Sequence, residues 1–185
     1  MQYYHAGENY QELGIVTKSD NSPVTLADLA ANKIIVKGLL ALFPQVAIVS
    51  EENNAAENLA ALKNDKYFIV DPLDGTSSFI KKLDEFTVNI ALIVDYKAVF
   101  GVIYLPAKDV MYFTDEKNQA IKISDFSKGN QGASVITTSK NKNNLKVICT
   151  RREPEKSQII TRLGAKNIAV SEIISIGSSY KFCFI

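Results

Sequence analysis

Asp71 and Asp74 stand three residues apart in "KYFIVDPLDGTSSFIKK", behind the apolar run Tyr67-Phe68-Ile69-Val70. Asp-Pro opens turns and Asp-Gly closes them, so a surface turn is the plain reading of an isolated DPLDG. Three further features point to chemistry. A second buried strand, "AIVSEE", also ends in carboxylates, Glu51 and Glu52. Asp28 lies three residues after Thr25 at a helix start, where an acid complements the helix dipole on structural grounds alone. Thr76 puts a hydroxyl beside the aspartate pair at the start of "TSSFIKK", where free backbone N–H groups can hold a phosphate.

Carboxylates grouped at strand ends repel one another unless a cation neutralises them. Their oxygens select hard ions, and Mg²⁺ takes about six oxygens at about 2.0–2.1 Å. Two or three Mg²⁺ ions sharing these carboxylates can clamp a phosphate ester. One lowers the pKa of a water and another stabilises the leaving oxygen. The pattern predicts a metal-dependent phosphomonoesterase.

The elements that must position these groups follow from periodicity. Residues 22–43 repeat apolar side chains at three- and four-residue steps, which predicts a helix capped by Thr25 or Ser22 and stopped at Pro44. Ala47 to Ser50 reads as a short buried strand, "NNAAENLAALKND" as a polar, helical connection, and "KYFIVD" as a second buried strand. "FTVNIALIVD" and "AVFGVIYL", separated by Tyr96-Lys97, read as a hairpin. "DVMYFTD" and "AIKIS" continue the sheet. "FSKGNQGAS" is a loop, with a boundary expected near residue 130. Beyond it come a strand in "KVICTRR", a helix across "EPEKSQIITRLGA" closing at Gly164, a strand in "IAVSEIIS" and a further element opened by "IGSSYKFCFI". This mixture predicts an α/β (α+β) sandwich: an N-terminal metal-binding part over residues 1–130 and the start of a smaller substrate part over 131–185.

The bulk numbers are those of a globular chain with a real core. Of 185 residues, 46% are hydrophobic and 22% charged. A net charge of +1 gives no reason to expect nucleic acid or a membrane surface as partner. No run of about 18 apolar residues predicts a membrane span, and no signal peptide is visible at the N-terminus. Cys149 and Cys183 fit no metal spacing and read as buried thiols of a reducing compartment. His5, the sole histidine, is assigned no role. The ending Phe-Cys-Phe-Ile lacks a polar cap, so the chain is expected to be cut short there.

"SPVTLADLAAN", "IVSEE" and "IVDPLDGTSSFI" resemble the three N-terminal motifs of the inositol monophosphatase superfamily, the lithium-sensitive, Mg²⁺-dependent phosphatases. "DEFTVNIALI", "GVIYLPAKDVMYF" and "SIGSSYKFC" resemble its 3'(2'),5'-bisphosphate nucleotidase branch, the bacterial sulfite-assimilation type. The resemblance runs from about residue 15 to residue 185. It implies a layered αβαβα sandwich, and Glu51, Asp71, Asp74 and the carbonyl of Leu73 as metal ligands, Glu51 being also catalytic. It implies that Asp28 and Thr76 orient and deprotonate the attacking water, Thr76 bonding the water and Asp28 accepting from Thr76. Gly75 and Thr76 would offer N–H groups to the phosphate, and Glu51, Leu73 and Asp74 would also face substrate. Ser178 and Lys181, in the GSS-x-K stretch, would lie near a nucleotide that carries a second phosphate. The implied substrate is adenosine 3',5'-bisphosphate, losing its 3'-phosphate. The implied setting is cytoplasmic, with peripheral attachment to the inner membrane left open, and a homodimer is an expectation of the superfamily.

The chain departs from the resemblance at two places. The superfamily has a further metal-binding aspartate in a late Trp-Asp motif, and this sequence has no Trp. A site without that aspartate should hold a second Mg²⁺ weakly, so the chain as given is expected to be a poor enzyme or none. Where nucleotidases often carry a "SRSH"-like segment, this chain reads "CTRREPE". Glu153 replaces a nucleotide-binding histidine, and Arg151 or Arg152 would have to compensate. Two other readings stay open: an inositol- or sugar-phosphate phosphatase, and a non-catalytic fragment that binds a metal or a partner.

Overall fold

The computed structural model describes residue 4 and residues 14–17, 23–129, 132–138, 145–151 and 155–184. His5, Ser22, Arg152 and Glu153 lie outside the described residues. Strands β1 (Val16–Thr17) and β2 (Pro23–Val24) form a small antiparallel pair ahead of helix α1 (Leu26–Leu42). Thr25 caps α1 with both bonds of a capping box: its side chain accepts from the Asp28 backbone N–H, as it does from Ala27 N, and Asp28 Oδ2 accepts from Thr25 N at 2.8 Å. Phe43 closes the helix, as expected before Pro44.

The chain then runs through β3 (Ala47–Ser50), helix α2 (Ala55–Ala61) and β4 (Lys66–Asp74), with β3 and β4 parallel. Ile35, Val36 and Leu39 of α1 pack on Val46, Ile48, Phe68 and Val70, so one face of these strands is buried under the helix. After the short helix α3 (Thr76–Ile80) the chain forms an antiparallel meander. Its strands are β5 (Thr87–Val94), β6 (Lys97–Leu105), β7 (Val110–Thr114), β8 (Ala120–Ser124) and β9 (Ala133–Ile136). All seven strands from β3 to β9 lie side by side in sequence order. The architecture is mixed α/β, as expected.

Three details differ from the periodicity reading. The β5–β6 turn is Asp95-Tyr96, both at positive φ (48° and 62°), one residue earlier than Tyr96-Lys97. That is the left-handed pair a tight hairpin demands. The stretch read as loop ends in β9, which pairs with β8, so the large sheet runs on past residue 130. Finally, β4 does not stop at Asp71 but continues through Asp74. Beyond the sheet, β10 (Lys146–Cys149) and β11 (Glu172–Ser175) pair in parallel, joined by helix α4 (Glu155–Ala165). A 3₁₀ stretch, Ser179–Phe184, follows. Both cysteines are free thiols, and burial pushes that of Cys183 up to about 11. Among the described residues no helix is long and apolar enough to cross a membrane.

Candidate active site

Side chains alternate faces along a strand, so residues 71 and 74, an odd step apart, should point to opposite sides. The structure removes that difficulty with a bulge. Asp71 pairs with Asn89 and Asp74 with Thr87, so Pro72 and Leu73 together oppose Val88 alone. The extra residue reverses the parity of the strand, and both aspartates line one cleft. Pro72 fits here because a bulge releases a residue from the ladder that Pro cannot serve. Gly75 then turns the chain into α3 at φ 88°, a left-handed conformation that favours glycine.

The cleft has a volume of about 650 Å³. Glu51, Asp71, Leu73, Asp74, Gly75 and Thr76 line it from the β3 and β4 ends, and Ser178 and Lys181 from the later part of the chain. Asp28 lies beneath it, only 2% exposed. Its Oδ1 accepts from Thr76 Oγ1 at 3.2 Å and its Oδ2 accepts from Thr25 Oγ1 at 2.5 Å. One carboxylate thus serves the helix cap and the cleft hydroxyl together, and the two readings of Asp28 are compatible.

Burial, then the negative charges of Glu51 and Asp74, push the Asp71 carboxyl up to about 7. Asp71 Oδ1 also accepts from Leu73 N at 3.1 Å, a smaller opposing effect. Asp74 is gripped from its other side. Its Oδ2 accepts from Ser179 N, from Thr87 Oγ1 at 3.3 Å and from Asn89 Nδ2 at 3.4 Å. Among the described residues no three His, Cys, Asp or Glu side chains are drawn together as a ready-made ion cage. The donor chemistry nonetheless suits a hard cation: all the groups are oxygens, and burial together with the neighbouring negative charges holds a proton on Asp71 near neutrality. An ion that drew the three carboxylates in would displace that proton.

Two expected substrate contacts are also engaged in holding the loop. Ser178, at φ 50°, donates its hydroxyl to the Glu85 carbonyl and accepts from Tyr180 N at 3.2 Å. Lys181 Nζ donates to the Ser178 carbonyl and lies 5.4 Å from the centre of the Phe182 ring.

The sequence reading assigned no role to Glu85, Thr87 or Asn89. Glu85 Oε2 accepts from Arg151 Nε at 2.9 Å and from Gly177 N at 3.0 Å, while its Oε1 takes Arg151 Nη2 at 2.5 Å. The hydrogen bonds from Arg151 hold this carboxyl below the usual range, burial opposing them. Ser179 Oγ meets Thr87 Oγ1 at 2.9 Å and donates to Asn89 Oδ1 at 2.7 Å. A signal was present: Glu85, Thr87 and Asn89 alternate with Phe86, Val88 and Ile90. That period of two marks one polar face on an otherwise apolar strand.

The loops around the cleft interlock through glycine. A Cβ on Gly75 would stand 2.9 Å from Ser178 Cβ, and one on Gly177 would stand 2.5 Å from Ser78 Oγ. Gly177→Ala is therefore expected to destabilise the protein by roughly 1–3 kcal/mol, the usual cost of overpacking, and to impair any activity of the cleft. A thermal melt indistinguishable from wild type would contradict that packing.

The sequence profile of the Inositol monophosphatase family matches residues 1–185. The 3'(2'),5'-bisphosphate nucleotidase CysQ of Escherichia coli (strain K12) is 36% identical over 189 residues, covering 100% of this chain and 70% of that protein. CysQ of Salmonella typhimurium is 38% identical over 172 residues, covering 91% of this chain and 64% of its own length. Among solved structures, CysQ from Bacteroides thetaiotaomicron, itself described as a bacterial member of the inositol monophosphatase family, superposes with a TM-score of 0.77. It is 31% identical, with 100% of this chain and 69% of that one covered. An inositol monophosphatase from Thermotoga maritima is alike in fold, with a TM-score of 0.75 at 22% identity.

Proposed function

Because this chain belongs to the inositol monophosphatase family, we propose that it is a Mg²⁺-dependent phosphomonoesterase that removes the 3'-phosphate of adenosine 3',5'-bisphosphate, giving AMP and phosphate. The observation that carries this reading is the 3.2 Å bond from Thr76 Oγ1 to buried Asp28 Oδ1, beside the cleft that Glu51, Asp71 and Asp74 line. The names of the relatives supply the nucleotide.

In this reading Glu51, Asp71, Asp74 and the Leu73 carbonyl hold the ions. When bound, the ions supply positive charge that makes a water more acidic and neutralises the departing oxygen. The chain's own groups do the rest. Thr76 orients the water with its hydroxyl, and Asp28, accepting from Thr76, fixes that orientation and draws the proton away. The N–H groups of Gly75 and Thr76 bond the phosphoryl oxygens. The bulge at Pro72-Leu73 supports this division of labour by keeping Asp71 and Asp74 on one side. The partner is a small phosphorylated nucleotide. Separating the products of the reaction tests the reading: AMP with one equivalent of phosphate is expected, and adenosine 5'-phosphate absent from the products would overturn it.

The Asp71 carboxyl gives a pH signature without substrate. Its folded-state value, about 7, is above its ordinary 3.8. A carboxyl raised in this way stabilises the fold fully below the ordinary value, and that contribution is lost as pH rises through the folded value. The ion-free protein should lose stability between about pH 4 and pH 7 from this group. Mg²⁺ must displace the same proton, so the rise in Tm that Mg²⁺ produces should be larger at pH 8 than at pH 6. An equal rise at both values would remove Asp71 from the ligand set.

A further inference from the structure

Three cations line the cleft: Lys81, Arg151 and Lys181. They are not equivalent. The Lys181 ammonium donates to the Ser178 carbonyl, and Lys81 is an exposed residue of the α3 end. Arg151 alone has its planar group set by a carboxylate, through Nε and Nη2 to the two oxygens of Glu85. The Glu85 side chain is 11% exposed and that of Arg151 is 50% exposed, so the fork is gripped from below and open above. Two of the five guanidinium N–H donors are used in that grip, and among the described residues the other three bond no further group and face the cleft that Arg151 lines.

Glu85 does more than hold Arg151. The same carboxylate accepts from Gly177 N, and its carbonyl accepts from Ser178 Oγ. One residue just ahead of β5 therefore sets Arg151, just past the end of β10, and the Gly177-Ser178 loop against the β4 bulge. The Glu85–Arg151 pair has no net charge. Arg151 would act through directed donors at short range, which is what a tetrahedral phosphate with several acceptor oxygens rewards.

We propose that Arg151, held by Glu85, binds the second phosphate of a bisphosphorylated nucleotide, the one that is not hydrolysed, with Glu85 as its positioning residue. This rests on the nucleotidase reading above and adds to it the residue that tells a bisphosphate from a monophosphate.

The test compares phosphate release from adenosine 3',5'-bisphosphate and from adenosine 3'-monophosphate, with Mg²⁺, in wild type, Arg151→Met, Arg151→Lys and Glu85→Gln. Wild type should favour the bisphosphate. Arg151→Met should lower the ratio of the two kcat/KM values about 30-fold, the scale of a charge-assisted bond. Arg151→Lys keeps the charge without the fork and should lower the ratio about 5-fold, which serves even if the methionine variant fails to fold. Glu85→Gln should raise KM for the bisphosphate about 10-fold with a smaller effect on kcat, because a neutral amide grips the fork less firmly. A ratio within twofold of wild type in both Arg151 variants overturns the inference and leaves the nucleotidase reading intact. A wild type that handles both nucleotides equally likewise overturns the inference alone, whereas one that releases phosphate from neither overturns the reading and the inference with it.

Discussion

Asp74→Asn is expected to cut turnover about a thousandfold, equivalent to about 4 kcal/mol of transition-state stabilisation, while the protein stays folded. Asp74 has two faces. Toward the cleft it presents one of three carboxylates of the proposed ion site. Away from it, Oδ2 accepts from Ser179 N, Thr87 Oγ1 and Asn89 Nδ2. An asparagine oxygen can still accept from Ser179 N and Thr87, so the packing around the bulge survives. The negative charge does not, and a hard cation then loses one of few anionic ligands. A variant with near-wild-type rate would remove Asp74 from the site. A variant that fails to fold would show that the acceptor role of Oδ2 outweighs the role of the charge.

Asp28→Asn is the second large effect, expected at about a hundredfold in kcat, the usual scale for a positioned acid–base group. Here the helix-cap role and the catalytic role can be separated. Asp28 Oδ2 accepts from both Thr25 N and Thr25 Oγ1, so weakening its half of the cap should cost about 1 kcal/mol of stability. Thr25→Ala removes the Oγ1 half of the cap and leaves the Asp28–Thr76 bond in place. It should lower Tm by a few degrees, on the order of the 1 kcal/mol scale, with far less effect on rate. If the two variants lose rate equally, Asp28 acts on the cleft only through the helix start. If Asp28→Asn alone loses rate, the bond to Thr76 Oγ1 is the functional one.

Much of this site was legible because its residues are close in sequence. The Thr25/Asp28 box announces itself at a helix start, and DPLDGT and SEE lie at strand ends that hydrophobic runs reveal. The bulge was not legible. A proline between two aspartates reads as a turn, and only the pairing with Asn89 and Thr87 shows that the strand continues and changes parity. The grip on Arg151 was hidden for another reason: Glu85 and Arg151 are 66 residues apart, and nothing local links them. Ser178 was read as a substrate contact, but its hydroxyl is occupied by the Glu85 carbonyl. Its position near the cleft followed from the motif, and its hydrogen-bonding duty depended on a strand the motif does not mention.

These findings join into one account of specificity. The β3 and β4 ends supply carboxylates, α1 supplies the buried acceptor for Thr76, and β10 with the Gly177-Ser178 loop supplies the wall opposite. β5 and the residue pair ahead of it tie the last two together, since Glu85, Thr87 and Asn89 each bond a residue of the later chain. In the proposed reading, chemistry sits on the first set of elements and choice of substrate on the second.

The most direct measurement is phosphate release from adenosine 3',5'-bisphosphate and from inositol 1-phosphate in parallel, each with Mg²⁺ and again with the ion removed by a chelator. The account predicts release from the nucleotide at a kcat/KM at least about tenfold above that for inositol phosphate, the worth of one extra charged contact, and none once the ion is removed. Equal use of the two substrates, a preference for inositol phosphate, or release that persists without the ion would contradict it.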